Sequence, residues 1–518
     1  MSTHTQDIAA GPGVWTHVAP KGDGASTMIA GLLVAAVTLV MMALHSVLMH
    51  WFVVPVSLAG ILIGRDAVRW FRGGFEVLDM RGLMGIVGLH FFWFSALLIP
   101  VIDMAPYPFA GVQKLDFRPW LGVMGILNVV GILLYQWIAG WLASKPYNKP
   151  VAVRRGVGGR MGMLCAVAIV TGVAAQTYLL LRYGLHVKTA WGEDRQFMEG
   201  QGVLVILRSS LPVTLMFAVT CIHLMAPQRK RSVMAVVIVM VLLTGLSLFL
   251  NGLTGNRGST AMIGFWVAGI IHYCWRPFKR REVVVLAVLF VMFMFVYMFY
   301  KQYGTRGLKI FLNEGAQAAV DTGRERVDRN FGGMLVGDLS RSHLHAYAAM
   351  VLIDKPYPYK LWWGKTVPAD VMMIIPRWVF PNEYNIGGYS GKHVAGTDMI
   401  RGPDSFDPTS MMGREPRMWG VAGNMMLNFG LYSAPLGYAL LGLYVGWAQR
   451  VTRRWQATGD VRIFLAPLLT LIAMILLVMD PQVFTMYFLR YFALPIMIVW
   501  AGSAMIGRFP LYTQPRAG

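Results

Sequence analysis

Apolar residues fall along this chain in long unbroken blocks set apart by short polar connections. The blocks are 28–46, 50–64, 83–103, 119–143, 161–182, 203–226, 233–250, 259–275, 283–300, 424–447, 463–479 and 488–506. Most are near the ~20 residues that a helix needs to cross a bilayer core. Only helices and closed barrels satisfy their backbone groups in lipid, and these Leu/Val/Met/Ile runs lack the alternation of barrel strands. The predicted fold class is therefore all-α, a polytopic transmembrane helical bundle of about 12 spans.

One stretch breaks the rhythm. Residues 301–423 are polar and too long for a mere connection, so they are expected to form a functional cap or lid with amphipathic helices of its own. The predicted organisation is a tail over 1–26, nine spans within 27–300, the large loop 301–423, three spans within 424–506 and a tail over 507–518.

Composition supports the membrane reading: 56% of residues are hydrophobic and the mean hydropathy is +0.53. The formal charge of +21 would suggest nucleic acid in a soluble protein, but here the basic residues sit mostly in the short connections, and no nucleic-acid partner is expected. They alternate from one connection to the next. Basic ones are 65–82 (Arg65, Arg69, Arg72, Arg81), 144–160 (Lys145, Lys149, Arg154, Arg155, Arg160) and 227–232 (Arg229, Lys230, Arg231). Arg276, Lys279, Arg280 and Arg281 continue the series, and so do Arg450, Arg453, Arg454 and Arg462. By the positive-inside rule these face the cytoplasm, which places both termini inside and loop 301–423 outside. The first 26 residues carry neither a basic n-region nor a small-residue cleavage site, so no removable signal peptide is expected. Cys165, Cys221 and Cys274 lie within or at the end of apolar runs and imply neither a disulfide framework nor a thiolate metal site. No fixed-period repeat is visible.

A second set of cations departs from the rule. Arg208, Arg257, Lys301 and Arg490 fall at the outer ends of spans, where ionisable groups are costly and usually face a bundle interior or polar cavity. Each taken singly also fits snorkelling to lipid headgroups. Together, on one side, they point to an anionic ligand at the outer leaflet. The loop adds Arg306, Arg324, Arg326, Arg329, Arg341, Lys365, Arg377, Arg401, Arg414 and Arg417, and arginine's planar fork matches phosphate oxygens.

Within the loop, Asp338 to Asp354 reads as a helix with Ser340 or Asp338 as N-cap and Lys355-Pro356 as its stop. Arg341 and His345 are four apart and share a face. Such an arginine can hold a diphosphate, and a neutral imidazole, His343 or His345, can take a proton from a sugar hydroxyl. The competing reading makes the histidines polar caps on an interfacial helix. Pro368 to Pro381 reads as a re-entrant or interfacial helix with Met372, Met373, Ile374 and Ile375 in lipid and Arg377 at headgroup level. The stretch 384–413 suits a saccharide-facing segment or a solvated loop. No P-loop, HExxH, GxSxG or Cys/His metal spacing occurs, so neither a metal nor a cofactor is expected.

The order of these parts resembles the Wzy-type oligosaccharide repeat-unit polymerases, the O-antigen and exopolysaccharide polymerases of bacterial envelopes. The residues that carry the resemblance are Gly255-Asn-Arg257-Gly, the helix headed by Arg341 that runs to Lys355-Pro356, and Leu361-Trp-Trp-Gly364. Ile375-Pro376-Arg377-Trp-Val-Phe-Pro381, Gly420-Val-Ala-Gly-Asn424 and Asn428-Phe-Gly430 complete the set. It covers roughly 200 to 518. The resemblance implies a GT-C-like membrane enzyme of the bacterial inner membrane that needs no metal. It would pass a glycan from undecaprenyl diphosphate to another lipid-linked repeat unit at the periplasmic face, alongside a chain-length regulator and a flippase of the same pathway.

Arg341 and, with less sequence support, Arg257 or Arg377 match the family's two-arginine pattern, although here one large loop carries cations that some members divide between two. On this reading Arg341, Arg257, Arg208, Arg377, Arg490, Arg414 and Arg417 hold or surround the diphosphate, and His345, His343 or Asp338 deprotonates the acceptor. Two rivals stand beside it. An O-antigen ligase shares the donor and the outer-face site. A lipid-linked oligosaccharide flippase would need polar groups through the depth of the bundle, whereas the cytoplasmic-half charges are expected mainly in loops, with His90 and His272 as exceptions.

Overall fold

The computed structural model describes residues 23–103, 116–145, 156–157, 159–183, 202–225, 233–250, 257–297, 310, 313–314, 332, 334–340, 342–354, 361–366, 419–479, 484–485 and 487–504. Among them the chain is helical apart from a two-residue antiparallel bridge that pairs Gly156–Val157 with Ser503–Ala504.

Each apolar block folds as a helix, because an intrahelical ladder is the only local way to satisfy the backbone of such a sequence in lipid. In order these are α1 (Asp23–Leu44), α2 (Val53–Phe71), α3 (Met80–Leu89) continued by α4 (Ser95–Val101), α5 (Arg118–Ser144), α6 (Gly159–Tyr183), α7 (Gly202–Met225) and α8 (Val233–Leu250). Then come α9 (Arg257–Ile270) and α10 (280–297). The remainder are α11 (Ser342–Asp354), α12 (Gly420–Phe429), α13 (Ala434–Thr458), α14 (Ala466–Val478) and α15 (Ala493–Gly502). Among the described residues six helical stretches are long and apolar enough to cross a membrane: Gly24–Leu44, Met80–Val101, Arg118–Ser144, Arg160–Tyr183, Val203–His223 and Val461–Val478. This is a helical membrane protein. Trp51, Trp137, Trp141, Trp363, Trp447 and Trp500 are exposed, a residue type that favours membrane interfaces.

Three boundaries differ from the sequence expectation. The predicted span 424–447 is two helices, because Gly430 takes φ +91 and ends α12 before α13 begins. Gly420 takes φ +64 at the other end of α12, which makes that element a half-helix between two breaks. Arg65, Arg69 and Arg81, expected in a connection, belong to α2 and α3 because those helices run to Phe71 and start at Met80.

The two largest apolar cores among the described residues organise most of the bundle. One joins α2, α3, α5, α11, α12 and α13, and the other joins α6, α7, α8, α9 and α15. α14 gives Ala473 and Leu477 to the first and Leu468, Leu471 and Ile475 to the second. The tightest contact is α5 against α13, where small residues let backbones approach. A Cβ at Gly442 would stand 2.8 Å from the Tyr135 carbonyl, and one at Gly446 would stand 3.0 Å from that of Ala139. One end of the bundle is basic: Arg280 donates to the carbonyls of Trp70 and Phe75, and Arg453 to that of Ala143.

Four π turns occur among the described residues: His90–Phe94 between α3 and α4, Ile271–Trp275 at the end of α9, Met334–Asp338, and Phe488–Phe492 before α15. Such turns are rare and recur at functional sites. They carry His90, His272, Asp338 and Arg490, four of the ionisable residues that the sequence singles out.

Candidate functional site

α11 is the helix of the large loop that carries the candidate histidines, and it lies inside the bundle. Every residue from Ser342 to Val351 is buried, against α5, α12 and α4. The sequence permits this because Ala346, Ala348 and Ala349 leave the helix thin enough to enter a core. The reading of the histidines as solvent-facing caps is therefore corrected: His343 is 6% exposed and His345 is 2%.

The entry to this helix is fixed by hydroxyls. Ser340, two residues before the helix rather than at its N-cap, accepts the Ser342 amide through Oγ at 3.2 Å, and Ser95 Oγ donates to Ser340 Oγ. Ser342 Oγ donates to the Phe91 carbonyl at 2.7 Å. His90 Nε2 meets the Leu335 carbonyl at 3.0 Å, so one π turn binds another. The π turn frees carbonyls that a regular helix would use, and α11 takes one of them.

His345 sits deeper. Its Nε2 lies 2.6 Å from the Trp419 carbonyl, and its ring meets Phe91 edge to face at 5.7 Å. A carbonyl can only accept, so Nε2 carries a proton, and Nδ1 is the ring nitrogen left for proton transfer. Gly423 makes room for the ring, since a Cβ there would be 3.2 Å from Nε2.

The same corner holds an amide node. Asn428 Oδ1 accepts the Gly364 amide at 3.0 Å, and Asn428 Nδ2 donates to Thr366 Oγ1 at 2.9 Å and to the Asn424 carbonyl at 2.8 Å. The amides of Trp362 and Trp363 donate to the carbonyls of Leu427 and Asn428. Leu361–Gly364 and Asn424–Gly430, far apart in sequence, thus form one unit beside His345.

A second cluster lies on the other core. Arg208, two turns into α7 and 4% exposed, is an electrostatic neighbour of Arg490 in the Phe488–Phe492 turn. Arg490 lies 5.3 Å over the Tyr491 ring, and Tyr491 hydrogen-bonds Ser259 in the first turn of α9. Two guanidinium groups and a helix N-terminus so converge at the end of the bundle away from Arg453, an arrangement suited to a multiply charged anion.

No family model, curated protein or solved structure matches this chain. The site therefore rests on its own geometry.

The structure brings Arg208 and Arg490 together, and it brings His345 to Trp419 and His90 to the approach of α11. Arg341, Arg377, Arg414 and Arg417 lie outside the described residues, and only the backbone of Arg257 and Asp338 is described. Among the described residues no group of His, Cys, Asp and Glu side chains is arranged to hold a metal.

Sequence reasoning missed one constellation. Asp66 is fully buried on α2 and bonds Arg81 at 3.2 Å and Gln136 at 3.4 Å. Arg65 donates to Gln136 at 3.0 Å. The signal was present: an Arg65-Asp66 pair inside an apolar run, at a position a loop would have had to interrupt.

Proposed function

We propose that this protein polymerises lipid-linked oligosaccharide repeat units, moving a glycan from undecaprenyl diphosphate to a second lipid-linked unit at the outer face of the bacterial inner membrane. The observation that carries this reading is the Arg208–Arg490 pair, two cations drawn together from separate helices at the end of the bundle where the positive-inside rule would put few. A lipid diphosphate is the polyanion available at that depth. The remaining helices would complete about twelve spans, with both termini inside.

In this mechanism Arg208 and Arg490, with Arg257, Arg341, Arg377, Arg414 and Arg417, neutralise the departing diphosphate. Loss of such an electrostatic contact typically costs ~10²-fold or more in rate. His345, through Nδ1, or His343 or Asp338, takes the proton from the acceptor hydroxyl. The bond broken joins the anomeric carbon to phosphate oxygen, the bond formed joins that carbon to the acceptor oxygen, and the diphosphate keeps the electron pair. No nucleotide is consumed.

The test is the size distribution of surface polysaccharide in a deletion strain complemented with wild type, Arg208→Ala or Arg490→Ala at matched membrane levels. A ladder that collapses to single repeats in the deletion and returns only with wild type is expected. An unchanged ladder in the deletion sinks the proposal.

A transporter of lipid-linked oligosaccharide is the second reading, and the buried Asp66–Arg81–Gln136 group favours it, because it carries charge into the half of the bundle expected to be apolar. That function predicts repeat units trapped on their lipid at the inner leaflet in the deletion strain, where loss of a polymerase leaves single units at the surface.

A further inference from the structure

α2, α3, α5 and α13 meet at the basic end around polar side chains that the proposed transfer site does not use. Asp66 bonds Arg81 and Gln136, and Asp79, at the N-cap of α3, accepts both the Arg81 and Gly82 amides. Gln449 Nε2 donates to both Asp79 oxygens at 2.9 Å, and Arg453 lies 3.9 Å from one of them. Burial holds the Asp79 carboxyl above the ordinary carboxylate range, against the pull of Arg453.

Several buried atoms in this group have no hydrogen-bond partner among the described residues: Tyr135 Oη, Gln449 Oε1, Thr452 Oγ1, Arg65 Nε and Arg81 Nε. Tyr135, Gln449 and Thr452 are 3%, 3% and 7% exposed. Tyr135 is an electrostatic neighbour of Arg81, Asp66 and Asp79, so its hydroxyl faces the same group. Buried polar atoms are almost always satisfied, and where protein supplies no partner, bound water does.

The atoms are stacked along the helix axes. The Tyr135 backbone packs on Gly442, and Gln449, Thr452 and Arg453 follow along α13. From the level of Gly442 to Arg453 the column runs about 16 Å at 1.5 Å per residue. Arg453, with 37% of its side chain exposed, stands at one end. At Tyr135 the bundle turns apolar, around a small cavity that Tyr135 lines together with Ile63, Met84, Phe92, Ile132, Tyr438, Leu441 and Leu477.

We propose that this column is a water-filled blind vestibule, open at the basic end beside Arg453 and closed at Tyr135 by the apolar plug beneath the histidine helix. Its ligand is water, bound by Tyr135, Gln449, Thr452 and the Asp66–Arg81 pair.

Two measurements on the full chain in membrane vesicles test it. A small membrane-impermeant anionic thiol reagent is applied to Thr452→Cys from either side, against the wild-type background of Cys165, Cys221 and Cys274, all buried. Loss of the added free thiol is expected only from the side that the basic end faces. Hydroxyl-radical labelling of the wild-type chain is expected to mark Tyr135 and spare Tyr438, which is equally buried but bonded to Asn128. Labelling of Tyr135 without thiol modification overturns the opening, and modification without labelling overturns the depth. Absence of both, or reaction from the opposite side, overturns the vestibule altogether.

Discussion

The Nε2–H of His345 donates to the main-chain carbonyl of Trp419 at 2.6 Å, which ties α11 to the residue that opens α12. The bond spans 74 positions of sequence and lies in the first apolar core. A helix of the large loop is thereby part of the bundle.

His345→Ala should destabilise the protein by about 1–3 kcal/mol, because it leaves the buried Trp419 carbonyl without a donor. His345→Gln, which can still donate an amide, should recover part of that loss. Thermal unfolding in detergent measures both. Equal midpoints for wild type and His345→Ala would show that the carbonyl has another donor.

Pyrophosphate should raise the unfolding midpoint of the wild-type chain. A ligand at a hundred times its dissociation constant adds about 2.7 kcal/mol. Arg490→Gln should remove that response without lowering the ligand-free midpoint, since relief of the like-charge contact with Arg208 offsets the lost contact with Tyr491. A response that survives in both Arg490→Gln and Arg208→Gln would place the anion elsewhere.

Breaking the Asp66–Arg81 pair from one side should cost about 3–5 kcal/mol, as an unpaired buried charge does. Asp66→Asn and Arg81→Gln are both expected to fall in that range. Replacing the two together with apolar residues of similar volume should recover much of it. Denaturant titration of the purified protein gives the comparison, and additive losses in the double variant would mean the two charges do not act as a pair.

Gly420→Ala should be costly for two reasons. The left-handed conformation costs a side-chain-bearing residue roughly 1–2 kcal/mol, and the new methyl would lie 2.3 Å from the Leu477 carbonyl, forcing α12 from α14. Gly245→Ala in α8, with nothing within 4 Å, should instead stabilise by about 0.5–1 kcal/mol. Opposite signs in paired thermal melts are the expected result.

The apolar blocks were legible because a membrane leaves few choices. Block 119–143 became Arg118–Ser144 and block 233–250 became Val233–Leu250, since hydropathy alone selects a helix there. The depth of the histidine helix was not legible, because its polar residues fit an interfacial helix as well as a buried site. His345 and His343 are instead served inside the bundle, and only the alanines hinted at close packing. Asp66 was missed for the related reason that charges near the end of a block were assigned to the adjoining connection. The half-helix α12 was hidden because a glycine at positive φ leaves the hydropathy of its neighbours unchanged. Of the candidate site, Arg208 and Arg490 were named from the sequence, but their pairing depends on how α7 meets the Phe488–Phe492 turn, which no local pattern encodes.

The π turn at His90–Phe94 has a consequence for counting along the chain. A π turn holds one residue more than an α turn, so every side chain after it is rotated by about 100° relative to a regular continuation. That surplus residue sets the phase of α4 and aims Ser95 at Ser340. A single deletion within 90–94 would restore a regular helix, yet it would swing Ser95 away from the strap that leads into α11. The helix that follows Arg490 is phased in the same way by the Phe488–Phe492 turn. In these spans, length in residues is as much a determinant of the site as identity.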